Sequence, residues 1–401
     1  MKILLVHQNF PGQFRGLAPA LVAAGHQVHA LSMRKEDHLI GIKNFQYSLS
    51  RQLGKDTHPW LRNTEAAVIR GMAAAEAAAN IAKKVGVDLV LGHTGWGEML
   101  FMRQAIPQAR ILGFNELYYQ YQGGDVNFDP EFPASIESAK RLQVRNMHLA
   151  SSLMSCDEAI TPTKWQAQTF PPELRANMHV IHDGIRTDIL LPNSEATVRL
   201  RREDLTLKKG DEIITFINRN LEPMRGYHQF MRALPQILSE RPKARVIIVG
   251  GDAVSYGAPL DDKQNYKQKY LNEVKGQLDI SRVHFVGRVP YDTLTSLLNI
   301  SAAHVYLTVP FVLSWSMMEA MSLGALVIGS DTAPVKELIQ HGQNGLLVDF
   351  FNPQQLASTV CDALANQESF SSMRKAARKT IIKKYDFNKI CLPRYLKLIE
   401  G

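Results

Sequence analysis

Short apolar runs alternate with longer amphipathic segments through most of the chain. The first run, residues 2–6, ends at the polar triplet His7-Gln8-Asn9, and Pro11-Gly12 makes a tight turn after it. A helical pattern covers residues 13–24 before a second apolar run at residues 27–31. This order is typical of a β-α-β unit, in which a helix joins two parallel strands.

The same alternation continues into the C-terminal half. Helical segment 64–85 has an alanine-rich body and is terminated by Gly86, which favours a packing role. The repeated order of strands and helices predicts the α/β class. Apolar runs followed by glycine or polar residues predict further strands at residues 87–93, 109–114, 212–217, 245–249, 283–286 and 304–308.

Between the two series of strands lies a charged stretch, residues 191–211, which is predicted to be a loop-like interdomain linker. A length of 401 residues with 45% hydrophobic content supports two globular domains, each able to bury its own core, and argues against disorder. We therefore predict an N-terminal domain over residues 1–193, a C-terminal domain over residues 194–384, and a last helical segment over residues 385–401.

Composition narrows the partners and the compartment. The formal net charge of +8 favours anionic partners such as phosphate esters, acidic glycans or an anionic membrane surface, without choosing among them. The three cysteines have no C-x-x-C spacing, so neither a disulfide framework nor a zinc site is indicated, and a reducing cytoplasm is expected. No apolar run reaches the roughly 18 residues of a transmembrane helix, so membrane contact is expected to be peripheral at most.

The stretch 307–324, LTVPFVLSWSMMEAMSLG, carries the first candidate site. An apolar strand runs into a loop with Pro310, and Ser314 or Ser316 offers an N-cap hydroxyl for a helix that begins inside the loop. The free N–H groups and positive dipole end of such a helix favour an anion, most often phosphate. Glu319, one turn into the helix, is suited to sugar hydroxyls or else only complements the helix dipole, and the two interpretations have equal weight.

A second candidate site follows the strand at residues 212–217, where the chain reads NRNLEPMRG. We expect Arg219 and Arg225 to lie in one loop between this strand and the next helix. Two cations there suit a diphosphate, because charge-assisted bonds neutralise both a bound donor and a departing nucleoside diphosphate. The alternative is a pair of surface arginines.

In the N-terminal half, polar residues follow two predicted strands. His93 closes one strand, and Asn115-Glu116 follows the next. Because open α/β sheets bind ligands at the carboxyl ends of their strands, His93 is a candidate acceptor-site residue, or a histidine that merely caps its strand. Glu116 is a candidate for holding an acceptor hydroxyl. A cluster of three tyrosines either stacks on a sugar ring or belongs to the core: Tyr118, Tyr119 and Tyr121.

Two basic segments remain. Residues 33–63 mix cations with aromatic side chains without a clean period, and six cations lie within residues 374–384. Either segment could lie on anionic lipid, and the first could instead hold an acidic acceptor. A solvated charged surface explains such runs more often.

The motifs resemble those of a known enzyme family. The segment PFVLSWSMMEAMSLGALVIGSDTAPVKELIQHGQNGLL is similar to the donor-binding region of the retaining glycosyltransferases of the GT-B type, family 4. The second glutamate of the family's motif falls on Glu319, and its pair of cations falls on Arg219 and Arg225. The sequence departs from the family at three sites. Phe311 stands where the first glutamate is expected, Asn115-Glu116 stands where many members carry His-Asp, and Arg186 replaces the usual Asp of the family's boundary element.

The resemblance covers nearly the whole chain and implies the GT-B fold, in which two Rossmann-like domains face each other across a cleft and the last helix returns to the first domain. It implies transfer of a sugar, with retention of configuration, from a UDP- or GDP-linked donor to a glycan, lipid-linked or small-molecule acceptor, as in polysaccharide biosynthesis. The expected location is the cytoplasm or the inner face of an anionic membrane, and no nucleic acid partner is expected.

The resemblance also assigns the site residues. A phosphate oxygen of the donor takes the acceptor proton, so no protein nucleophile is expected. No D-x-D triplet occurs, and neither a metal nor another cofactor is expected. The residues expected to act in catalysis are Arg219, Arg225, Glu319 and His93. Those expected to bind the donor are Gly12, Asn218, Gly287, Arg288, Val289, Phe311, Val312, Leu313, Ser314 and Ser316.

Two other functions stay open. The departures at Phe311 and Asn115 suggest a catalytically silent GT-B subunit that binds a nucleotide sugar or a partner. A nucleotide-sugar epimerase is the second alternative.

Overall fold

A computed structural model describes residues 1–34, 39–200, 204–260 and 264–401, and these residues form two compact units. The first unit comprises Met1–Gly184 together with Phe387–Gly401, and the second comprises Ile185–Asp386. The predicted boundaries, residues 193 and 385, lie nine residues and two residues from these positions. Ile185 belongs to the second unit because its N–H donates to the carbonyl of Tyr385 at 2.8 Å and its side chain is buried in that unit's core.

The first unit is built on a parallel sheet of seven strands in the order β3-β2-β1-β4-β5-β6-β7. Successive side chains of β1 point to opposite faces, so Ile3 and Leu5 enter one apolar core while Leu4 and Val6 enter another. Both faces are therefore buried, as parallel sheets require. The strands are β1 (Lys2–Val6), β2 (Gln27–Ser32), β3 (Lys43–Gln46), β4 (Leu89–His93), β5 (Arg110–Phe114), β6 (Glu158–Thr161) and β7 (Met178–Val180).

The second unit has a parallel sheet of six strands in the order β12-β11-β10-β13-β14-β15, and a separate antiparallel hairpin, β8-β9. The strands are β8 (Thr197–Leu200), β9 (Leu205–Lys208), β10 (Ile213–Asn220), β11 (Arg245–Gly251), β12 (Val283–Gly287), β13 (Ala303–Tyr306), β14 (Val327–Ser330) and β15 (Leu346–Val348).

The hairpin corrects the prediction of a linker over residues 191–211. Val198, Leu200 and Leu207 alternate with charged residues and are buried in the second unit's core, so this segment is part of the unit. Within the strands, Arg199 and Lys208 lie at the exposed positions of a two-residue period.

Helices connect the strands in both units. The helix predicted over residues 13–24 is divided into a 3-10 turn, Gly12–Phe14, and the shorter helix α1. A π-helical turn, Phe387–Cys391, precedes the last helix. The α-helices are α1 (Leu17–Ala23), α2 (Arg62–Val85), α3 (Met102–Ala105), α4 (Ile136–Met154), α5 (Lys164–Thr169), α6 (Pro172–Arg175), α7 (Tyr227–Glu240), α8 (Tyr266–Val274), α9 (Tyr291–Ile300), α10 (Trp315–Ser322), α11 (Ala333–Lys336), α12 (Pro353–Ala365), α13 (Ser371–Tyr385) and α14 (Leu392–Glu400).

These elements confirm the predicted α/β class with two Rossmann-like units. In each sheet the strand order reverses beside the first strand, between β1 and β4 and between β10 and β13. Open parallel sheets bind ligands at the carboxyl ends of the strands at such a reversal. Among the described residues, no helix is long and apolar enough to cross a bilayer.

Candidate functional site

Arg225 is buried at the carboxyl edge of the second sheet. It ends the 3-10 turn Pro223–Arg225 that follows β10, and it is 6% exposed. Its Nη1 donates to the hydroxyls of Tyr306 and Thr308 at 3.1 and 2.8 Å, and its Nη2 donates to the carbonyl of Val312 at 2.9 Å. The guanidinium therefore ties the turn after β10 to the segment after β13.

Arg219 has different surroundings. It lies within β10, near the carboxyl end, and its side chain is exposed. Nothing among the described residues hydrogen-bonds or pairs with it. The expected placement of the two arginines in one loop was wrong for Arg219, because the strand runs on to Asn220. The neighbouring Asn218 is half-buried, and Asn220 is buried and bonds to the hydroxyl of Ser255 at 2.6 Å.

Phe311 is 7% exposed and belongs to an aromatic group around Arg225. Its ring centroid lies 4.9 Å from that of Tyr256, and the guanidinium carbon of Arg225 lies 5.3 Å from each ring. This distance is within the range of cation–π attraction. The position that the family fills with a carboxylate thus contributes an apolar wall beside a buried cation.

Glu222, which sequence reasoning missed, holds Tyr256 in place. It is 1% exposed, and its carboxylate accepts the backbone N–H groups of Ser255, Tyr256 and Gly257, each at 3.1 Å. Three charge-assisted bonds satisfy a carboxylate that burial would otherwise penalise. The only sequence signal is an acidic residue inside a loop expected to bind anions.

The segment after β13 leads into α10 as predicted. Ser314 is the N-cap, and its Oγ accepts the N–H of Ser316 at 3.3 Å. The N–H of Ser314 donates to the hydroxyl of Tyr306 at 2.8 Å, and burial raises the pKa of that phenol. Tyr306 thus accepts bonds from both Arg225 and Ser314. Of the remaining residues assigned to the donor here, Val312 accepts a bond from Arg225 through its carbonyl, and Leu313 packs against the unit's core.

Glu319 lies in α10 and is 9% exposed. Its Oε1 accepts the hydroxyl of Tyr291, the first residue of α9, at 2.7 Å. A hydrogen bond to a tyrosine on another helix gives the carboxylate a fixed direction, beyond a simple complement to the helix dipole.

The three residues assigned to the nucleobase lie at the carboxyl end of β12, where Gly287 is the last residue of the strand. Gly287 has a φ of +67°, which favours glycine, and no heavy atom would meet a Cβ there within 4 Å. Arg288 is exposed, and its Nη2 lies 3.4 Å from Oδ1 of Asn220, while Val289 packs on the unit's core. The carboxyl ends of β10 and β12 are therefore linked through Asn220.

In the first unit, His93 and Glu116 lie together. His93, the last residue of β4, is 3% exposed, and its Nε2 is 3.3 Å from Oε2 of Glu116. Its Nδ1 accepts the N–H of Gly95 at 3.0 Å, and its ring stacks on Trp96 with 4.0 Å between centroids. Both ring nitrogens of the residue assigned to catalysis thus face protein groups.

A second histidine, His7, extends this group and was not singled out from the sequence. Its Nδ1 accepts the N–H of Asn9 at 3.0 Å, and its Nε2 is 2.6 Å from Oε1 of Gln13. Nε2 of Gln13 donates to Oε1 of Glu116 at 2.6 Å. Burial, with a contribution from His93, lowers the pKa of His7 to about 3. A histidine after the first strand was the available signal.

Gly12 packs against the same histidine. Its φ is +45°, and a Cβ at this position would lie 2.3 Å from two atoms of the His7 ring. The glycine is therefore needed for the close approach of the turn to His7, whether or not it also faces a donor phosphate.

Asn115 and the three tyrosines of the predicted cluster are hydrogen-bonded or packed within the first unit. Asn115 is 1% exposed, accepts the hydroxyl of Thr94 at 2.7 Å, and donates to the carbonyl of Gly113 at 2.8 Å. Tyr119 accepts a bond from Arg145 at 2.6 Å, with the guanidinium 3.6 Å from its ring centroid. These contacts favour the core interpretation for Tyr119. For the other two, Tyr118 packs on Phe170 and Tyr121 donates to the carbonyl of Ala134.

The cations of the C-terminal basic segment, residues 374–384, divide into bonded and exposed side chains. On α13, Arg374 donates to the carbonyl of Ala302, and Arg378 to those of Thr187 and Leu190, so two of the six cations are structural. The four lysines of the segment are exposed: Lys375, Lys379, Lys383 and Lys384. In the other segment, residues 35–38 lie outside the described residues.

Comparison with known proteins adds independent findings. A family model described as glycosyl transferase family 4 group matches residues 24–190, and a model described as glycosyl transferases group 1 matches residues 198–380. Spore coat protein SA of Bacillus subtilis is 24% identical over 238 residues, covering 56% of this chain and 60% of that protein. A D-inositol 3-phosphate glycosyltransferase of Corynebacterium urealyticum is 24% identical over 206 residues, covering 51% of this chain and 46% of that protein. The chain thus spans about half the length of such relatives.

Two solved structures match the chain over its length. Sucrose-phosphate synthase from Thermosynechococcus elongatus superposes with a TM-score of 0.75 at 18% identity, covering 100% of this chain and 99% of that one. HepE from Anabaena, solved with UDP and glucose, superposes with a TM-score of 0.68 at 17% identity and full coverage of both chains. At such identity these likenesses show the fold, which is the GT-B fold.

Proposed function

Since this chain belongs to family 4 of the glycosyltransferases, whose two domain models match residues 24–190 and 198–380, we propose that it moves a sugar from a nucleoside diphosphate sugar to an acceptor hydroxyl. The donor binds the second unit and the acceptor binds the first. The reaction retains the configuration at the anomeric carbon and needs no metal ion.

The observation that carries the proposal is the pair of arginines at the carboxyl edge of the second sheet. Arg219 is exposed with its five N–H donors available to a ligand. Arg225 already bonds to three groups of the protein, so its main effect on a diphosphate is a fixed positive charge held in a low-dielectric position. Arg219 binds the diphosphate directly, and both charges stabilise the nucleoside diphosphate as it departs.

The surrounding residues supply the rest of a donor site. The N-terminal end of α10, capped by Ser314, presents its positive dipole end to phosphate, and Glu319 accepts hydroxyls of the sugar. The backbone of Gly287, Arg288 and Val289 receives the base. The HepE structure contains UDP, which makes UDP-sugars the first donors to test and GDP-sugars the second.

The biological setting follows from the same proposal. The acceptor is a glycan, a lipid-linked sugar or a small molecule, and the reaction belongs to polysaccharide biosynthesis in the cytoplasm. The four exposed lysines of α13 suit a peripheral contact with an anionic inner membrane surface.

A catalytically silent subunit is the second candidate, and Phe311 favours it. The ring occupies a position where the family carries a carboxylate, and it leaves Glu319 as the carboxylate assigned to the sugar hydroxyls. Such a subunit would bind a nucleotide sugar without releasing nucleoside diphosphate.

Equilibrium titration with UDP and GDP tests the donor site. We expect micromolar to millimolar binding of one nucleotide and a loss of about tenfold or more in the Arg219→Ala variant, since a charge-assisted bond is worth about 1.5 to 3 kcal/mol. Lys243→Ala is the matched control, because Lys243 is an exposed cation just before the amino end of β11. Equal binding by Arg219→Ala and the parent would remove Arg219 from the donor site.

A further inference from the structure

Four polar residues at the carboxyl edge of the first sheet have donors and acceptors in a fixed order: His7, Gln13, His93 and Glu116. Backbone N–H groups can only donate, so Nδ1 of His93 and Nδ1 of His7 must both be acceptors, from Gly95 and Asn9. In the neutral rings, the proton of each histidine therefore lies on Nε2. Two backbone amides thus determine the tautomers of two histidines.

The tautomers determine the next contacts. Nε2–H of His7 donates to Oε1 of Gln13, which turns the amide nitrogen of Gln13 towards Oε1 of Glu116. Nε2 of His93 is buried and lies 3.3 Å from Oε2 of the same carboxylate, outside hydrogen-bonding alignment. Gln13 thus donates to one oxygen of Glu116, and the ring of His93 lies beside the other.

Glu116 is the member of this group that can meet a ligand. Its side chain is 29% exposed, whereas that of His93 is 3% exposed, and the other nearby carboxylate, Glu98, is fully buried against the hydroxyl of Tyr47. Although burial acts to raise it, the nearby imidazole of His93 and the bond from Gln13 lower the pKa of Glu116, so the group is ionised at neutral pH. An ionised carboxylate has about four acceptor sites, and Gln13 uses one of them.

We propose that Glu116 binds the acceptor hydroxyl through its remaining acceptor sites, and that His93 and Gln13 are positioning residues that aim and ionise it. This inference rests on the proposed function for the identity of the ligand as an acceptor. It replaces the expectation that His93 itself contacts substrate, because Nδ1 of that ring accepts a backbone N–H and Nε2 is buried beside Glu116.

The charge of Glu116 also selects the class of acceptor. A carboxylate accepts hydrogen bonds from neutral hydroxyls and repels a carboxylate or phosphate placed beside them. The acceptor is therefore a polyhydroxylated ring that is neutral around the hydroxyl held by Glu116. An acidic group on the acceptor must lie away from this carboxylate.

Titration of the full chain with methyl pyranosides in the presence of UDP tests the assignment of Glu116 as the acceptor-binding residue. Methyl glucoside, mannoside and galactoside are the probes, with methyl glucuronoside as the acidic counterpart. We expect at least one neutral pyranoside to bind, the Glu116→Gln variant to bind it about tenfold or more weakly, and the glucuronoside to bind the parent more weakly than the glucoside. Glu173→Gln, which changes an exposed carboxylate of α6 in the same way, should bind like the parent.

The pH dependence of pyranoside binding tests the positioning role of His93. His93→Phe keeps a ring but removes the Nε2–H beside the ionised carboxylate, so the acid side of the pH profile of pyranoside binding should move to higher pH, while UDP affinity stays unchanged. A purely structural role for His93 would weaken binding at every pH without moving that limb.

The outcomes separate this inference from the proposed function. Equal pyranoside binding by Glu116→Gln and the parent, or no pyranoside binding up to about 100 mM, would overturn the role of Glu116. Pyranoside binding that depends on Glu116 in a chain that binds neither UDP nor GDP would instead retain this site and refute the nucleotide-sugar proposal.

Discussion

Arg219 and Arg225 carry the same guanidinium and differ in what surrounds it. Arg219 is exposed at the end of β10, whereas Arg225 is buried and bonds to Tyr306, Thr308 and Val312. Residue type and spacing could predict two cations near the end of one strand. They could not predict the division of roles, because it depends on partners about 80 positions away in the sequence.

This difference gives opposite expectations for two alanine variants. Arg225→Ala leaves a carbonyl and two hydroxyls without their donor inside the unit, so the free energy of unfolding should fall by roughly 2 to 4 kcal/mol. Arg219→Ala should change it by less than about 0.5 kcal/mol while weakening nucleotide binding. Urea unfolding measures both. Equal stability losses in the two variants would contradict these placements.

Phe311 is the residue at which the family pattern and this chain differ. Its ring contacts Tyr256 and lies beside Arg225, so a carboxylate there would compete with Val312 for the guanidinium and disturb the segment after β13. We expect Phe311→Glu to lower nucleoside diphosphate release from the preferred donor by about tenfold or more, which is about 1.4 kcal/mol or more in the barrier. Phe311→Leu is the apolar control. A faster Phe311→Glu variant would favour the silent-subunit interpretation.

At the scale of elements, one glycine joins the turn after β10 to α7. Gly226 has a φ of +66°, and a Cβ there would lie 2.3 Å from Cβ of Leu307, at the start of the segment that carries Phe311. Gly226→Ala places a Cβ on a left-handed backbone and against Cβ of Leu307. The free energy of unfolding should therefore fall by at least about 2 kcal/mol.

Gly276→Ala is the matched control for this substitution, since a Cβ at Gly276 meets no atom within 4 Å. Thermal unfolding should show a clear drop in Tm for Gly226→Ala and little change for the control. Equal Tm values would mean that the segments move apart at small cost and that the loop after β13 is not fixed by this contact.

Some of the strands and contacts could be predicted from the sequence, and others could not. Strands such as β1, β4 and β13 were predicted because their apolar runs end in glycine, proline or polar residues. The β8-β9 hairpin was missed because its strands are only four residues long and lie in a charged stretch, which hides the buried alternation of Val198 and Leu200. The contact of Gln13 with Glu116 joins residues 103 positions apart, which no local pattern reveals.

At the scale of the molecule, each unit contains a buried histidine that stays neutral, His7 in the first and His304 in the second. Burial lowers the pKa of His304 to about 3, and burial with His93 lowers that of His7 to about 3. The unfolded chain takes up these protons below about pH 6.5, while the folded units do not. Stability is therefore fully present above pH 6.5 and is lost as the pH falls towards 3.

His304→Gln isolates the contribution of one such group. From pH 7.5 to pH 5, the parent should lose about 2 kcal/mol more than the variant in the free energy of unfolding of the second unit. Urea unfolding at several pH values measures the difference. A constant difference between the two proteins across this range would show that His304 does not titrate between the folded and unfolded states.

The function proposed for the whole chain is the transfer of a sugar from a nucleotide donor. Incubation with a panel of UDP- and GDP-sugars, with and without pyranoside acceptors and with excess EDTA, followed by proton NMR, tests this claim most directly. We predict release of one nucleoside diphosphate, a glycoside whose anomeric configuration matches that of the donor, and the same rate in EDTA. The absence of both nucleoside diphosphate and glycoside with every donor, in a protein that remains folded, would contradict the claim.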